Sequence, residues 1–154
     1  MKLPNMMVTT LGAIVIITVL GFLNRDDGRV GSGETGLEVG VPIEHQIQKR
    51  QKTTPLPVVL RLVNNQNNAV ALTADGPCKV FRYVVTTEDG GFIQAVRRPE
   101  VCTQTISSTE LAANQVLEEI RQVPLDSSRY QAGTYNLRIK FWNYEGQASF
   151  TLVD

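Results

Sequence analysis

The sequence predicts a mainly β protein, an antiparallel β-sandwich that follows one N-terminal transmembrane helix. Three observations support this prediction. An uncharged apolar run extends from Met6 to Leu23, apolar and polar residues alternate over most of the remaining chain, and short polar or glycine-containing turns separate the alternating stretches. We therefore divide the chain into four parts: an N-terminal stub (1–5), a transmembrane signal anchor (6–23), an extended linker (24–56) and a sandwich domain (57–154).

The apolar run is long enough to cross a bilayer as one tilted helix, at about 1.5 Å per residue against roughly 30 Å of hydrocarbon. A cleaved signal peptide needs small residues before its cut site, and the end of the run offers only Gly21. We therefore expect an uncleaved anchor; a cleaved signal and a buried core helix are the alternatives. Gly12 and Gly21 would let partner helices pack closely against it.

The cysteines predict which side of the membrane holds the domain. Cys78 and Cys102 are the two cysteines of the chain, and both fall in the sandwich domain. Such a pair in an exported β-rich domain indicates a disulfide, and two buried thiols in a cytosolic domain are the alternative. The disulfide favours a single-pass protein of the bacterial inner membrane with a cytoplasmic N-terminus and a periplasmic domain. The charges that flank the anchor do not decide the orientation.

The overall charge excludes one class of partner. Fifteen basic and 15 acidic residues give a formal net charge of zero, and the basic runs reach only two residues, as at Lys49-Arg50 and Arg97-Arg98. Nucleic-acid binding requires a basic patch or stripe. We therefore expect no nucleic-acid partner and look for protein and lipid partners instead.

The linker is rich in glycine, glutamine and charged residues. Residues 31–36 match the dinucleotide pattern G-x-G-x-x-G by letter, but no hydrophobic strand precedes them and no helix follows, so we expect no nucleotide site. Apolar residues alternate at Leu37, Val39, Val41 and Ile43. This part of the linker is expected to add an edge strand or to dock on another protein.

Three hairpins are predicted in the sandwich domain. They join residues 58–63 to 69–74, residues 78–87 to 92–97, and residues 134–144 to 147–153, the last across Glu145-Gly146. In the third hairpin, one face is expected to meet the core: Tyr135, Leu137, Ile139 and Phe141, together with Phe150 and Leu152.

The segment 107–123 fits two structures. Ser107 and Glu110 have the spacing of a capping box, and apolar residues recur at helical spacing, which favours a helix. The regular spacing of the surrounding strands favours a strand over residues 116–121. We leave the two alternatives open at this point.

No set of residues predicts catalysis or metal binding. His45 is the one histidine and lies in the linker, so a blue-copper site, which needs two histidines, is excluded. A zinc site from His45, Cys78 and Cys102 lacks a fourth ligand and close spacing. Adjacent acidic pairs such as Glu118-Glu119 point to opposite faces of a strand and cannot share a proton. We expect a protein that is not an enzyme and has no cofactor or metal.

The order of strands and turns resembles the BsuPI-type intracellular proteinase inhibitor domain. Four parts of the sequence support this resemblance: Leu60 to Asn65, Val80 to Val85 with Asp89-Gly90 behind it, Leu111, and Ala132 to Tyr135 at the start of a long strand. The resemblance covers about residues 57–154 and implies an Ig-like β-sandwich in which residues 116–121 form a strand. Residues 112–114 stand where the family has Pro-Gly, and the anchor and the cysteine pair are not its usual features. A fold does not determine inhibition by itself.

Together these features predict a non-catalytic membrane protein whose extracytoplasmic sandwich binds protein, as an accessory or structural subunit of a membrane complex such as a respiratory or photosynthetic one. Trp142 and Tyr144 are the expected contacts, because aromatic residues are enriched at interface hot spots; inward packing of Trp142 is the alternative. A second possible function is a membrane-tethered proteinase inhibitor that acts through Arg97 and Arg98, in an exposed loop before Cys102. A third is an envelope carbohydrate-binding or adhesion domain, favoured if Trp142 and Tyr144 line an exposed groove.

Overall fold

The computed structural model describes residues 23–25, 29–96 and 101–154, with backbone only for residues 23–25. Nearly all regular secondary structure in the described chain is β-strand, so the prediction of a mainly β protein is confirmed. In chain order the elements are β1 (Leu23–Arg25), β2 (Thr35–Pro42), β3 (Glu44–Gln46), β4 (Thr53–Asn64), β5 (Val70–Ala74), a 3₁₀ turn η1 (Pro77–Lys79), β6 (Phe81–Thr87), β7 (Phe92–Ala95), β8 (Ser107–Leu111), β9 (Val116–Asp126), β10 (Gly133–Phe141) and β11 (Tyr144–Val153).

Two sheets pack face to face around one core. The first has the order β1-β2-β4-β9 and the second β3-β11-β10-β6-β7, while β5 and β8 form a separate pair. The chain crosses from the first sheet to the second between β2 and β3, and β3 pairs with β11 in parallel. Fully buried side chains come from both inner faces, including Leu56 and Leu60 from the first sheet and Leu137, Ile139 and Phe150 from the second. These inner faces make the two layers a β-sandwich.

The strands β2 and β3 lie in a stretch that was predicted to be a linker. β2 pairs antiparallel with β4 over residues 35–40, and its alternating residues Leu37, Val39 and Val41 are buried in the core. Ile43, the fourth residue of the alternation, lies at the crossing between the sheets and is 51% exposed. The folded domain therefore includes a stretch whose polar and glycine-rich flanks indicate a linker.

Two of the three predicted hairpins form. β6 pairs with β7, and β10 pairs with β11. The first predicted hairpin is wrong, because β5 pairs with β8 and β4 pairs with β2 and β9. Two alternating stretches joined by a polar turn look alike whether they pair with each other or with distant strands, so local sequence could not decide the pairing.

The turn of the third hairpin is Trp142-Asn143, three residues before the predicted one. Both residues have positive φ, 48° and 68°, as in the type I′ turn, whose twist matches that of the flanking strands. Gly146 instead allows a close approach between strands: a Cβ there would lie 2.8 Å from the carbonyl oxygen of Leu37. The predicted core face of this hairpin is confirmed, since Tyr135, Leu137, Ile139, Phe141, Phe150 and Leu152 are all buried.

The segment 107–123 is strand, not helix. β9 pairs residue by residue with β4, from Val63 opposite Val116 to Thr53 opposite Asp126. This long ladder satisfies the backbone groups that a helix would otherwise satisfy locally, and tertiary pairing of this kind often overrides helix propensity.

The hydroxyl of Tyr135 closes the loop that precedes β10. It accepts a hydrogen bond from the backbone N–H of Gln131 at 3.1 Å and donates one to the carbonyl oxygen of Gln131 at 3.0 Å. The ring itself is buried and packs edge-on against Tyr130 and face-on against Phe150. The loop is therefore joined to the core by both the apolar and the polar part of one side chain.

Residues 6–22 of the predicted membrane segment, with Gly12 and Gly21, lie outside the described residues. Leu23, its last residue, begins β1, which pairs with β2 so that Leu23 faces Pro42. In the described ranges, no helix is long and apolar enough to cross a membrane.

His45 provides a pH-dependent test of the packing of β3. Its Nε2 is buried without a hydrogen-bond partner among the described residues. Burial lowers the pKa of His45 below its ordinary 6.5, and a hydrogen bond with the backbone of Pro55 opposes that shift. Because the unfolded chain takes up this proton more readily than the folded one, the free energy of unfolding should fall as the pH drops through about 6.5.

This dependence is measurable by denaturant unfolding between about pH 7.5 and about pH 5.5. His45 is the one histidine of the chain, so His45→Gln should flatten the slope in this window. Equal slopes for the two proteins would contradict the assignment.

Candidate protein-binding face

The outer face of the five-stranded sheet contains a depression of about 400 Å³. Six outward-pointing side chains from β6, β10 and β11 line it, and Gly90 of the β6–β7 turn closes one end. We call this depression the sheet groove and define it by Val84, Thr86, Asn136, Arg138, Gln147 and Ser149.

Strand register brings these residues together. Arg138 on β10 lies opposite Val84 on β6 and Gln147 on β11. One rank further along, Asn136 lies opposite Thr86 and Ser149 in the same way. Directly opposed residues point to the same face of a sheet, and their neighbours along each strand point into the core. The groove is thus the outer side of the same ladders whose inner side builds the core.

Hydrogen bonds hold the polar side of the groove in place. The Ser149 hydroxyl donates to Asn136 Oδ1 at 2.8 Å. At the closed end, the N–H of Gly91 donates to Thr87 Oγ1 at 2.8 Å, and the Thr87 hydroxyl donates to the Asp89 carboxylate. The hydrogen bond from the Thr87 hydroxyl stabilises the carboxylate and so lowers the pKa of Asp89. A surface whose groups are already ordered loses less entropy when it binds.

The centre of the groove is positively charged. Arg138 is exposed and forms no ion pair with any residue that the structure describes. Arg82 and Lys140 lie opposite each other one rank away on the same face, and Lys140 Nζ is 3.6 Å from Glu145 Oε1. Three cationic side chains, Arg82, Arg138 and Lys140, therefore share this face. One carboxylate, that of Glu145, lies in the rank of Arg82 and Lys140.

An exposed apolar wall borders the positive centre. Phe92 on β7 lies opposite Thr86 and is 67% exposed, and Val84 is 37% exposed. Arginine and aromatic residues are both enriched at protein interfaces, and this face exposes one of each. The guanidinium can bind a carboxylate through two parallel hydrogen bonds, while Phe92 offers area to an apolar side chain.

Trp142 and Tyr144, the aromatic residues predicted as contacts, do not line the groove. Both are half-buried and pack against the core from the β10–β11 turn. The backbone N–H of Trp142 donates to the carbonyl oxygen of Val80 at 2.9 Å. The Trp142 ring meets the Phe141 ring edge-on, with 6.4 Å between the ring centroids. Trp142 therefore adopts the inward packing that was the alternative, at the end of the sandwich.

The predicted disulfide is confirmed. Cys78 in η1 is bonded to Cys102, with 6.1 Å between their Cα atoms. Arg97 and Arg98, the predicted inhibitory residues, lie outside the described residues. Val101, beside the disulfide, is 85% exposed. Within the described ranges, no three His, Cys, Asp or Glu side chains are grouped so that they could hold a metal ion.

Arg138 stands on the non-core side of the alternation predicted for its strand, but nothing in the sequence singles it out. The alternation of β10 carries the signal, because Arg138 and Lys140 are the charged residues between buried ones. What the alternation lacks is the identity of the neighbouring strands β6 and β7, which supply Val84 and Phe92 from a hairpin far away in the chain.

Comparison with known proteins adds no relatives: no family model matches the chain, and no curated protein is significantly similar to it. The resemblance to the BsuPI-type domain stays a prediction. The functional inference therefore depends on the geometry and chemistry of the sheet groove.

Proposed function

We propose that this protein is a non-catalytic, single-pass membrane protein whose Ig-like domain lies outside the cytoplasm and binds a partner subunit of a membrane complex through the sheet groove. One observation carries the proposal: Arg138 is exposed, without an ion-pair partner among the described residues, and lines a depression of about 400 Å³ on the same sheet face that exposes the ring of Phe92.

Strand order supports the Ig-like assignment. Immunoglobulin-type sandwiches place their first, second and fifth strands in one sheet and their third, sixth and seventh in the other. Here β2, β4 and β9 take the first set of places, and β6, β10 and β11 take the second. Tyr135, near the start of β10 and bonded back to Gln131, has the position and bonding of the tyrosine corner of that fold.

Two features support the membrane location. The uncharged run from Met6 to Leu23 has the length of a membrane span. The disulfide between Cys78 and Cys102 is typical of oxidising compartments such as the bacterial periplasm. An anchored domain meets its partner within the plane of the membrane, which suits an accessory subunit.

The charge of the groove indicates the chemistry of the partner. Arg138, Arg82 and Lys140 together favour a partner segment that carries a carboxylate. Such a segment would place its acidic side chain on Arg138 and an apolar neighbour against Phe92. No reaction is needed for this role, since binding is the whole activity.

Reversal of the central charge tests the proposal. The full chain, tagged after Asp154, is purified in mild detergent and its co-purifying membrane proteins are quantified by mass spectrometry. Arg138→Glu should lower the recovery of the specific partner at least tenfold, because hot-spot substitutions cost about 2 kcal/mol or more. Arg50→Glu makes the same charge change in the exposed β3–β4 turn, outside the groove, and should leave recovery unchanged.

Two outcomes would contradict the proposal. Equal recovery with Arg138→Glu and Arg50→Glu would exclude the groove as the binding surface. Purification of the wild-type chain with no co-purifying membrane protein would exclude the subunit role. Residues 1–23 can be deleted in parallel, and a chain that still sediments with membranes would argue against the anchor.

A membrane-tethered proteinase inhibitor is the second candidate, and the disulfide beside the Arg97–Arg98 segment favours it. An inhibitory loop is exposed and held rigid, and Val101 and Cys102 supply those two properties at its C-terminal side. The same purification separates the two functions. A protease retained by Arg138→Glu but lost with Arg98→Asp would support the inhibitor.

A further inference from the structure

The long strand β9 forms an edge of the four-stranded sheet. Among the described strands only β4 pairs with it, so its other side has no strand partner among the residues that the structure describes. We propose that this side pairs with β9 of a second copy of the chain, antiparallel across a two-fold axis at Ile120, so that the two four-stranded sheets join into one.

The ladder with β4 fixes which backbone groups are available. The N–H of Asn64 donates to the carbonyl oxygen of Gln115 at 2.9 Å. In an antiparallel pair, hydrogen-bonded residues alternate with residues whose N–H and C=O point away. Odd-numbered residues of β9 therefore bond β4, and even-numbered residues direct their backbone groups toward the open side.

One end of this open side is already closed from within the molecule. Gln94 Nε2 donates to the carbonyl oxygen of Pro124 at 2.7 Å, and the N–H of Asp126 donates to Gln94 Oε1 at 2.9 Å. Pro124 itself has no N–H to offer. Residues 116–122 are left with outward-pointing backbone groups at Val116, Glu118, Ile120 and Gln122.

Apolar and charged side chains share this open stretch. Ile120 is 65% exposed and Val116 is 42% exposed, while Glu118, Glu119 and Arg121 are charged. Natural edge strands are usually guarded against pairing by charged side chains, especially lysine, by proline or by a bulge, so the charges here allow only a register that pairs opposite signs. Here the proline stands only at the end that Gln94 closes, and a β-branched apolar residue stands in the middle of the open part.

Charge complementarity favours a second copy and selects its register. With the axis at Ile120, Glu119 lies opposite Arg121 of the second copy, and Glu118 lies opposite Gln122. With the axis at Glu119, this residue would face its own copy and repel it. Within one chain, Arg121 Nη2 and Glu119 Oε2 are 2.6 Å apart, so pairing across the axis shares or replaces this ion pair with the same pair of charges from the second copy.

The other described strands leave residues 116–122 of this edge uncovered. β1, the strand nearest the N-terminal segment, lies at the opposite edge of the same sheet. The sheet groove belongs to the other sheet, so self-pairing through β9 and partner binding through the groove involve separate surfaces. Failure of one does not imply failure of the other.

Cysteine crosslinking of the full chain in detergent and in membranes tests the register. At a hydrogen-bonded antiparallel pair the Cα atoms are about 5.5 Å apart, which a disulfide spans. Ile120→Cys should therefore form a covalent dimer on mild oxidation. The natural cysteines are bonded to each other and leave no free thiol.

Matched variants make the result specific. Glu118→Cys and Gln122→Cys should each fail to crosslink to themselves, because their own copies lie about four residues apart along the strand, yet a mixture of the two should crosslink. Ile120→Lys should weaken the dimer at least tenfold in analytical ultracentrifugation, while its thermal unfolding matches the wild type at concentrations where both are monomeric. The proposal would be overturned by a monomeric wild-type chain, by the absence of a crosslink at position 120, or by equal self-crosslinking at position 118. An edge occupied by a different protein would also overturn it.

Discussion

Asn64→Asp should destabilise the domain by about 3 to 5 kcal/mol. Asn64 is fully buried at the end of β4. Its Nδ2 donates to the carbonyl oxygens of Asn68, Leu111 and Ala112 at 2.9, 3.2 and 3.0 Å. Its Oδ1 accepts from the Thr35 hydroxyl at 3.0 Å and from the N–H of Gln66 at 3.1 Å. Aspartate keeps the acceptor but turns a charged oxygen toward three carbonyl oxygens.

Urea unfolding at neutral pH measures this effect. Asn136→Asp is the matched control, because Asn136 lies on the half-buried outer face and its Oδ1 still accepts from Ser149; it should change the free energy of unfolding by less than about 0.5 kcal/mol. The loss for Asn64→Asp should shrink at acid pH, where protonation restores one donor. Equal effects of the two substitutions would show that Asn64 does not join these segments.

Removal of the disulfide should cost a similar amount. Cys78 and Cys102 are 24 residues apart in sequence, and opening a loop of that length releases entropy to the unfolded chain worth about 3.5 kcal/mol. The segment also packs closely: a Cβ on Gly76, which has a φ of 121°, would lie 2.7 Å from the carbonyl oxygen of Thr103. The double variant Cys78→Ser, Cys102→Ser should therefore unfold at clearly lower temperature and denaturant concentration.

Reductant provides the control for this variant. The wild-type chain should lose stability when reductant is added and approach the double variant, while the double variant itself should not respond. A wild-type protein whose unfolding is the same with and without reductant would contradict the predicted contribution of the disulfide.

Much of the β-domain was predictable because its information is local. Alternation identified the face of β10 and β11 that meets the core. Residue type and spacing identified the turn between β6 and β7 and the cysteine pair. Residues 107–123 were not decidable, since their helical spacing is overridden by a ladder with β4, some 60 residues earlier in the chain. The same reason explains why β5 was paired with the wrong strand.

The candidate surfaces were less predictable than the fold. Arg138 was placed on the outer face, but its neighbours Val84 and Phe92 come from a hairpin about 50 residues away. Trp142 and Tyr144 were selected by residue type and by the alternation that puts Trp142 on the non-core face. The tight turn at Trp142-Asn143 interrupts that alternation, and both rings pack against the core. The open side of β9 appears only once the strand order is known.

By itself, the sequence determined the mainly β class, the inward faces of the last two strands and the pair of cysteines that bond, because each depends on neighbours within a few residues or on residue chemistry. Only the tertiary structure decided which strands pair, which of them lies at an edge and which outward side chains meet at the sheet groove. Strand pairing depends on contacts between segments far apart in the chain, and the alternation within each strand is the same whichever partner it finds.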